Sequence, residues 1–176
     1  MVAALIRTWA SSYLNAKVVY ASEVKTESLV ADGPYRYLRN PLYLANVLLA
    51  IGLGAMMSWI GFFVVAAAML IFCYRLILRE EWDLQNRQGD RYESYRNAVP
   101  RLWPAVRPRV SSAGGRAEWT LGFRAEFWCW GFAAAVAVFA ITLMNAAFFG
   151  TMAASILFLW LSGAIRKSRA ARPADP

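Results

Sequence analysis

Four apolar runs, each close to the length of a membrane-spanning helix, constrain this chain more than any other feature. They are residues 41–59, 60–78, 127–145 and 146–165. A helix needs about 20 apolar residues to cross the hydrocarbon core of a bilayer. The turns MMSWIG (56–61) and NAAFFG (145–150) are uncharged and join the runs in pairs. The pattern therefore predicts two transmembrane helical hairpins.

The positions of the basic residues indicate that both hairpins enter the membrane from the same side. Residues 21–40, 75–124 and 166–176 hold 3, 10 and 4 of the 19 Lys and Arg. The positive-inside rule makes these three segments cytoplasmic. A net charge of +8 would suggest a nucleic-acid partner in another chain. Here the charge follows the predicted topology, so we expect no nucleic-acid binding.

Residues 1–20 give a weaker signal, because Arg7 and Lys17 interrupt a segment that is barely long enough to cross. The segment is either a short spanning helix or an interfacial amphipathic helix, and we favour the spanning helix. The predicted fold class is therefore an all-α integral membrane protein with about five transmembrane helices and a cytoplasmic helical segment after the first hairpin.

Two features of the composition exclude common site chemistries. The chain has no histidine, which excludes histidine catalysis, histidine metal ligation and a Ser-His-Asp triad. Cys73 and Cys129 lie inside apolar runs and form no CxxC motif, so both are expected to be small core residues. We predict no metal site.

Polar residues at the cytoplasmic ends of the runs are the candidates for chemistry. Glu80 and Glu81 follow the second run, next to Arg75 and Arg79. They could form a solvated helix end with local ion pairs, or one Glu could accept hydrogen bonds from a sugar hydroxyl pair. The tyrosines of the two flanking segments could be an interfacial aromatic belt, and Asn40 could be a helix cap. The residues alone leave these alternatives open.

The order of the motifs is more specific than any single residue. GPYRYLRNPLYL (33–44), an apolar hairpin and then EEWDLQNRQGDRYESYRNAVPRLWP (80–104) together resemble the membrane methyltransferases that include isoprenylcysteine carboxyl methyltransferase and phospholipid N-methyltransferases. The matching positions are Gly33, Pro34, Tyr35, Arg39, Pro41, Tyr43, Glu80, Glu81, Leu84, Gly89, Tyr92, Tyr95, Val99, Pro100, Arg101 and Pro104. The resemblance covers residues 5–104. It departs from the family pattern at Asn40, where the family usually has His, and at Gln88, where Phe often precedes the Gly.

The resemblance implies methyl transfer from S-adenosylmethionine to a lipophilic acceptor, with S-adenosylhomocysteine as product. The acceptor would be an isoprenylcysteine carboxylate or a phospholipid-like molecule. The implied cofactor-binding residues are Arg39, Asn40, Pro41, Tyr43, Leu44, Glu80, Glu81, Tyr92 and Tyr95. The implied catalytic positions are Arg75, Arg79 and Glu81, with the two arginines meeting the head group of the acceptor.

The resemblance also implies a division of the chain. The catalytic core would be residues 1–109, with spans 41–59 and 60–78 and a cofactor segment 79–104. A linker would follow at 110–125, and 126–176 would be a C-terminal hairpin with a basic tail. We expect this hairpin to supply lateral walls or a dimer contact, which leaves a homo-oligomer open. We expect the bacterial inner membrane as location, with membrane lipids as partners and the cofactor site facing the cytoplasm.

Two other functions stay open from the sequence. Membrane reductases of the sterol-reductase type resemble the same motifs and use a nicotinamide cofactor, but they are usually much longer. A non-catalytic membrane protein could also retain this fold. Binding of S-adenosylhomocysteine, of NADPH or of neither would separate the three functions.

Overall fold

The computed structural model describes residues 1–21 and 31–170, with side chains for 1–14 and 31–161. The described residues form seven α-helices and no strand, which confirms the all-α class. The helices are α1 Val2–Ala21, α2 Pro41–Gly54, α3 Trp59–Gln88, α4 Asp90–Ala98, α5 Trp119–Ala125, α6 Phe127–Thr142 and α7 Asn145–Ala170. A 3₁₀ turn at Gly33–Arg36 precedes α2.

The first hairpin is formed by α2 and α3, but its boundaries differ from the predicted ones. The turn lies at residues 55–58, which overlaps the predicted turn at 56–61. Ser58 caps α3 by accepting a hydrogen bond from the Gly61 N–H at 3.3 Å. Helix α3 then continues ten residues past the predicted end at Leu78. The polar stretch after Leu78 contains no helix breaker until Gly89, whose φ of +53° ends the helix.

Fewer helices meet the criteria for a membrane span than the five predicted. Among the described residues, α3 is the one helix that is both long and apolar enough to cross by itself, and α5 with α6 would make a second if they form one broken span. Helix α2 has 14 residues, about 21 Å, which is short of a hydrocarbon core of about 30 Å. The other predicted spans therefore stay predictions.

Helix α3 has the surface that a lipid-facing helix needs. Only 11% of its most apolar 18-residue window is buried, and large side chains such as Trp59, Phe63 and Phe72 are exposed. A core helix of a soluble protein would bury this surface, since exposed apolar patches of such size are rare in water.

The described chain divides into two compact units, the first of which is Val2–Arg124. This unit includes residues 110–124 of the predicted linker. The buried carboxylate of Asp32 accepts hydrogen bonds from the Ser112 hydroxyl at 2.7 Å and from the backbone N–H groups of Ala113 and Gly115 at 2.8 and 3.0 Å. A buried carboxylate requires such donors, so this segment folds with the first unit.

The second unit contains the C-terminal hairpin of α6 and α7. Residues 143–144 connect the two helices, and Leu143 adopts a left-handed conformation with φ of +53°. Gly131 allows close approach, because a Cβ atom there would lie 2.6 Å from the Ser155 side chain. The Phe127 and Phe158 rings stack with centroids 4.9 Å apart. This turn comes earlier than the predicted one at 145–150.

The loop of residues 33–40, which precedes α2, is held in place mainly by the chain that follows α4. The N–H of Arg39 donates to the Pro100 carbonyl at 2.9 Å. The N–H of Ala105 donates to the Tyr37 carbonyl, also at 2.9 Å. The buried Tyr95 hydroxyl donates to the Tyr35 carbonyl at 2.8 Å. These bonds fix the 33–40 loop against residues 95–105, and the candidate site lies where they meet.

Replacement of Gly33 tests how strictly this loop is constrained. Gly33 has φ of +57°, and a Cβ atom there would lie 2.4 Å from the Tyr13 ring. We expect Gly33→Ala to lower the free energy of unfolding by about 2–4 kcal/mol, because left-handed backbone and a steric clash both oppose the methyl group. Thermal unfolding in detergent measures the effect.

Gly52→Ala is the matched control, since Gly52 is helical and a Cβ atom there would have no neighbouring atom within 4 Å. That variant should be neutral or stabilising by up to about 1 kcal/mol. Equal melting temperatures for the two variants would contradict the proposed constraint.

Candidate functional site

The first unit contains a cavity of about 470 Å³ between α1, the 33–40 loop, α2, α3 and α4. This volume is within the usual range for small-molecule sites. Its lining residues are Arg7, Leu14, Tyr35, Arg39, Asn40, Pro41, Leu42, Tyr43, Asn46, Glu80, Leu84, Gln88, Tyr92 and Tyr95. Five separate parts of the chain contribute, so the cavity exists only in the folded unit.

Most of the predicted cofactor-binding residues face this cavity. The seven that line it are Arg39, Asn40, Pro41, Tyr43, Glu80, Tyr92 and Tyr95. Leu44 and Glu81 are not among the lining residues. The structure thus brings together residues from 39–43 and from 80–95. That these residues hold a cofactor stays a prediction.

The two predicted catalytic arginines do not reach the cavity. Arg75 and Arg79 are exposed on α3 and absent from the lining. Successive helical residues turn by about 100°, so the cavity face at Glu80, Leu84 and Gln88 points away from both arginines. A catalytic role for these two arginines stays a prediction.

Glu81 is the centre of a buried polar network beside the cavity. Its carboxylate accepts hydrogen bonds from Arg101 Nη2 at 2.8 Å, from Arg101 Nε at 3.0 Å and from Asn40 Nδ2 at 3.3 Å. Arg39 Nη1 lies 3.3 Å from Oε1 of the same group. Two guanidinium groups and an amide are therefore arranged around one carboxylate, which is 8% exposed. A bidentate pair of this kind fixes geometry as well as charge.

Arg39 retains hydrogen-bonding capacity on the cavity side. Its side chain is only 8% exposed. Nε and Nη1 have no hydrogen-bond partner among the described residues, although Nη1 is within ion-pair distance of Glu81. Buried guanidinium donors are normally satisfied. A cationic side chain of this kind in a cavity wall is suited to bind an anionic ligand group.

Glu80 differs from its neighbour Glu81 in both partners and exposure. It lines the cavity and accepts a hydrogen bond of 2.6 Å from the Tyr43 hydroxyl. The described residues give it no ion pair with Arg or Lys, whereas Glu81 has two arginines. Glu80 is therefore the carboxylate that is available to a cationic or hydroxyl-bearing ligand.

Three side chains near the site have raised pKa values outside the apolar runs. Burial is the main cause for the pKa of both Tyr92 and Tyr95, and the Glu81 carboxylate raises the pKa of Tyr92 further. The hydrogen bonds to Glu81 raise the pKa of Arg101. Both phenols are therefore neutral hydrogen-bond donors near pH 7, and Arg101 stays charged.

Several site residues were not predicted from the sequence. Arg7 and Asn46 line the cavity, and the Arg7 guanidinium donates to the Asn46 side-chain oxygen. Arg101 belongs to the motif but had no predicted role, yet it holds Glu81. Arg7 carried a usable signal, because it is the one charged side chain in residues 1–14. Its nearness to Asn46 depends on how α1 and α2 pack.

Comparison with known proteins gives a family and two relatives. A sequence model of the family described as phospholipid methyltransferase matches residues 1–91, about half of the chain. The cobalt-zinc-cadmium resistance protein CzcN of Cupriavidus metallidurans is 30% identical over 115 residues, which are 65% of this chain and 48% of that protein. The nickel-cobalt-cadmium resistance protein NccN of Alcaligenes xylosoxydans xylosoxydans is 29% identical over 100 residues, 57% of this chain and 44% of that protein.

The chain spans about half the length of these curated relatives. No solved structure matches it.

The contrast between the two glutamates predicts different effects of the same substitution. Glu81→Gln should lower the free energy of unfolding by about 3 kcal/mol, because two arginines lose the carboxylate that neutralises them in a buried site. Glu80→Gln should change it by no more than about 0.5 kcal/mol, since its network is a single exposed hydrogen bond. Melting of both variants in the same detergent checks the prediction. A greater loss for Glu80→Gln would refute this assignment of the two carboxylates.

Proposed function

Because the chain belongs to the phospholipid methyltransferase family, we propose that it is an S-adenosylmethionine-dependent methyltransferase that acts on a lipophilic acceptor in the membrane. The acceptor would be an isoprenylcysteine-type carboxylate or a phospholipid-like molecule. The observation that carries the proposal is the cavity in which family-motif residues surround the buried Arg39 guanidinium.

The lining residues fit the chemistry of this cofactor. Arg39 has buried donors without hydrogen-bond partners among the described residues, and it would hold the cofactor carboxylate together with Asn40. Glu80, oriented by Tyr43, would accept hydrogen bonds from the ammonium or ribose hydroxyl groups. Pro41 and Leu84 offer apolar surface for the adenine or methylthio part. When bound, the cofactor supplies an electrophilic methyl group.

The contribution of the chain's own residues would be mainly positioning. Fixing the acceptor in line with the methyl group removes much of the entropic cost of a bimolecular reaction. An acceptor carboxylate is ionised at neutral pH and needs no base. An amine acceptor must lose a proton. Because the chain has no histidine, that proton would go to Glu80, the carboxylate that lines the cavity, or to a phosphate of the substrate.

The proposed location is the bacterial inner membrane, with the cavity facing the cytoplasm. This orientation follows from the basic segments around the 33–40 loop and after α3. The exposed apolar surface of α3 would face lipid, and the acceptor would enter between helices. Arg75 and Arg79, exposed on α3, would meet lipid head groups outside the cavity rather than the reacting atoms.

The names of the two relatives concern resistance to cobalt, zinc, nickel and cadmium. The present chain has no histidine, and its described residues include no group of three or more His, Cys, Asp or Glu placed to hold a metal ion. We therefore propose that any contribution to metal resistance proceeds through modification of a lipophilic molecule.

Ligand binding by the purified protein in detergent tests the proposed function directly. We expect calorimetry to detect S-adenosylhomocysteine binding and no NADPH binding, and labelled S-adenosylmethionine to methylate at least one member of a lipid panel. Binding of NADPH alone would indicate the reductase alternative. Binding of neither would indicate a non-catalytic protein.

Arg39→Lys tests which residue holds the cofactor. Lys keeps the positive charge beside Glu81 but lacks the planar donor fork, so we expect about tenfold weaker binding of S-adenosylhomocysteine or more. Arg107→Lys is the matched control, because Arg107 is exposed and outside the cavity lining. Unchanged affinity in a folded Arg39→Lys variant would rule out the assignment.

A further inference from the structure

The Gln88 side chain is the polar group at one end of a cavity wall, and the proposed cofactor contacts leave it without a role. Glu80, Leu84 and Gln88 all line the cavity. Their spacing of four residues places them in one row along α3. Eight helical residues rise about 12 Å. The row therefore leads from a carboxylate, through an apolar side chain, to a carboxamide.

Gln88 Oε1 is a buried hydrogen-bond acceptor without a partner. Among the residues whose side chains the structure describes, four buried nitrogen and oxygen atoms make no hydrogen bond, and they belong to Arg39, Gln85 and Gln88. Arg39 and Gln88 line the cavity, whereas Gln85 does not. Buried polar atoms are nearly always hydrogen-bonded, so each exception needs an explanation. At Gln88 the cavity supplies one, because a ligand with a hydrogen-bond donor would satisfy the oxygen.

The surroundings of Gln88 suit a flat and mostly apolar group. The buried side chains of Tyr92 and Tyr95 belong to one cluster, against which Leu84 packs. All three residues also line the cavity. Aromatic and apolar side chains of this kind pack well against a planar base. This part of the cavity thus combines an apolar and aromatic wall with a carboxamide.

The chemistry of Glu80 and Gln88 assigns them to different parts of the proposed cofactor. A carboxylate only accepts hydrogen bonds, which suits an ammonium group or a pair of ribose hydroxyls. A carboxamide has a donor beside an acceptor. Adenine presents the complement, because its 6-amino group donates next to a ring nitrogen that accepts, and Gln pairs with adenine in this way when proteins read DNA.

We propose that Gln88 recognises the adenine base of the cofactor, with Oε1 accepting a hydrogen bond from the 6-amino group and Nε2 donating to the adjacent ring nitrogen. This inference rests on the proposed function and deepens it by naming a specificity-determining residue for the base. A purine without the 6-amino group would leave the buried oxygen unpaired and should bind more weakly.

Calorimetry with two ligands in detergent tests this role of Gln88. One ligand is S-adenosylhomocysteine, and the other is its analogue with hydrogen in place of the 6-amino group. We expect the intact chain to bind S-adenosylhomocysteine about tenfold more tightly, since the loss of one hydrogen bond to a buried group has an effect of this size. Gln88→Met removes the carboxamide at similar side-chain length, so it should bind the two ligands with nearly equal affinity.

Three controls separate recognition of the base from an effect on folding. Gln88→Met should keep the melting temperature of the ligand-free protein, because the oxygen that it removes has no partner. Gln88→Glu keeps an acceptor oxygen at the same length and should still prefer S-adenosylhomocysteine. Asn86→Met removes an exposed amide on the same turn of α3, outside the cavity lining, and should keep the full preference.

The outcomes distinguish this role of Gln88 from the proposed function. Suppose that the intact chain binds S-adenosylhomocysteine without preferring it to the analogue, or that the preference survives in folded Gln88→Met. Either result would overturn the role of Gln88 and leave the proposed function standing. Equal weakening of both ligands in Gln88→Met would also overturn it. Binding of neither ligand by the intact chain would overturn the proposed function and the role of Gln88 together.

Discussion

The ion-pair network at Glu81 is the interaction on which the rest of the site depends. One carboxylate on α3 connects Arg39 and Asn40 of the loop with Arg101 of the segment after α4. These groups come from three separate stretches of chain, so the network closes only when all three are in place. Removing the carboxylate would leave the buried Arg39 guanidinium without compensation, which is far more costly than losing an exposed ion pair.

The neighbouring residue Glu80 shows how one helical step places two adjacent carboxylates in different environments. Glu81 faces the arginines, whereas Glu80 lies about 100° further back on α3 and lines the cavity. A sequence motif with two adjacent glutamates therefore supplies one carboxylate to the ion-pair network and one to the cavity lining. The same rotation explains why Arg75 and Arg79 are excluded from the cavity although they precede Glu80 closely.

Much of the fold was predictable, because its signals are local. Apolar run length predicted helical hairpins, the first of which α2 and α3 form. The contacts of residues 112–115 could not be predicted, because a stretch rich in Ser and Gly gives no local sign that Asp32, some 80 residues earlier, accepts its hydrogen bonds. The ends of the apolar runs were also poor guides to helix ends, since helix formation continues through polar residues that lack a breaker.

The sequence by itself determined the helical class, the apolar surface, the absence of histidine chemistry and the family motifs. All of these depend only on residue type and on spacing along the chain. Only the tertiary structure decided which glutamate faces the cavity, that Arg101 supports Glu81, and that Arg7 meets Asn46. Those facts depend on helix rotation and on packing between segments 20 to 41 residues apart. Spacing along one chain cannot encode them, because the relative rotation of two helices is set by the side chains packed between them.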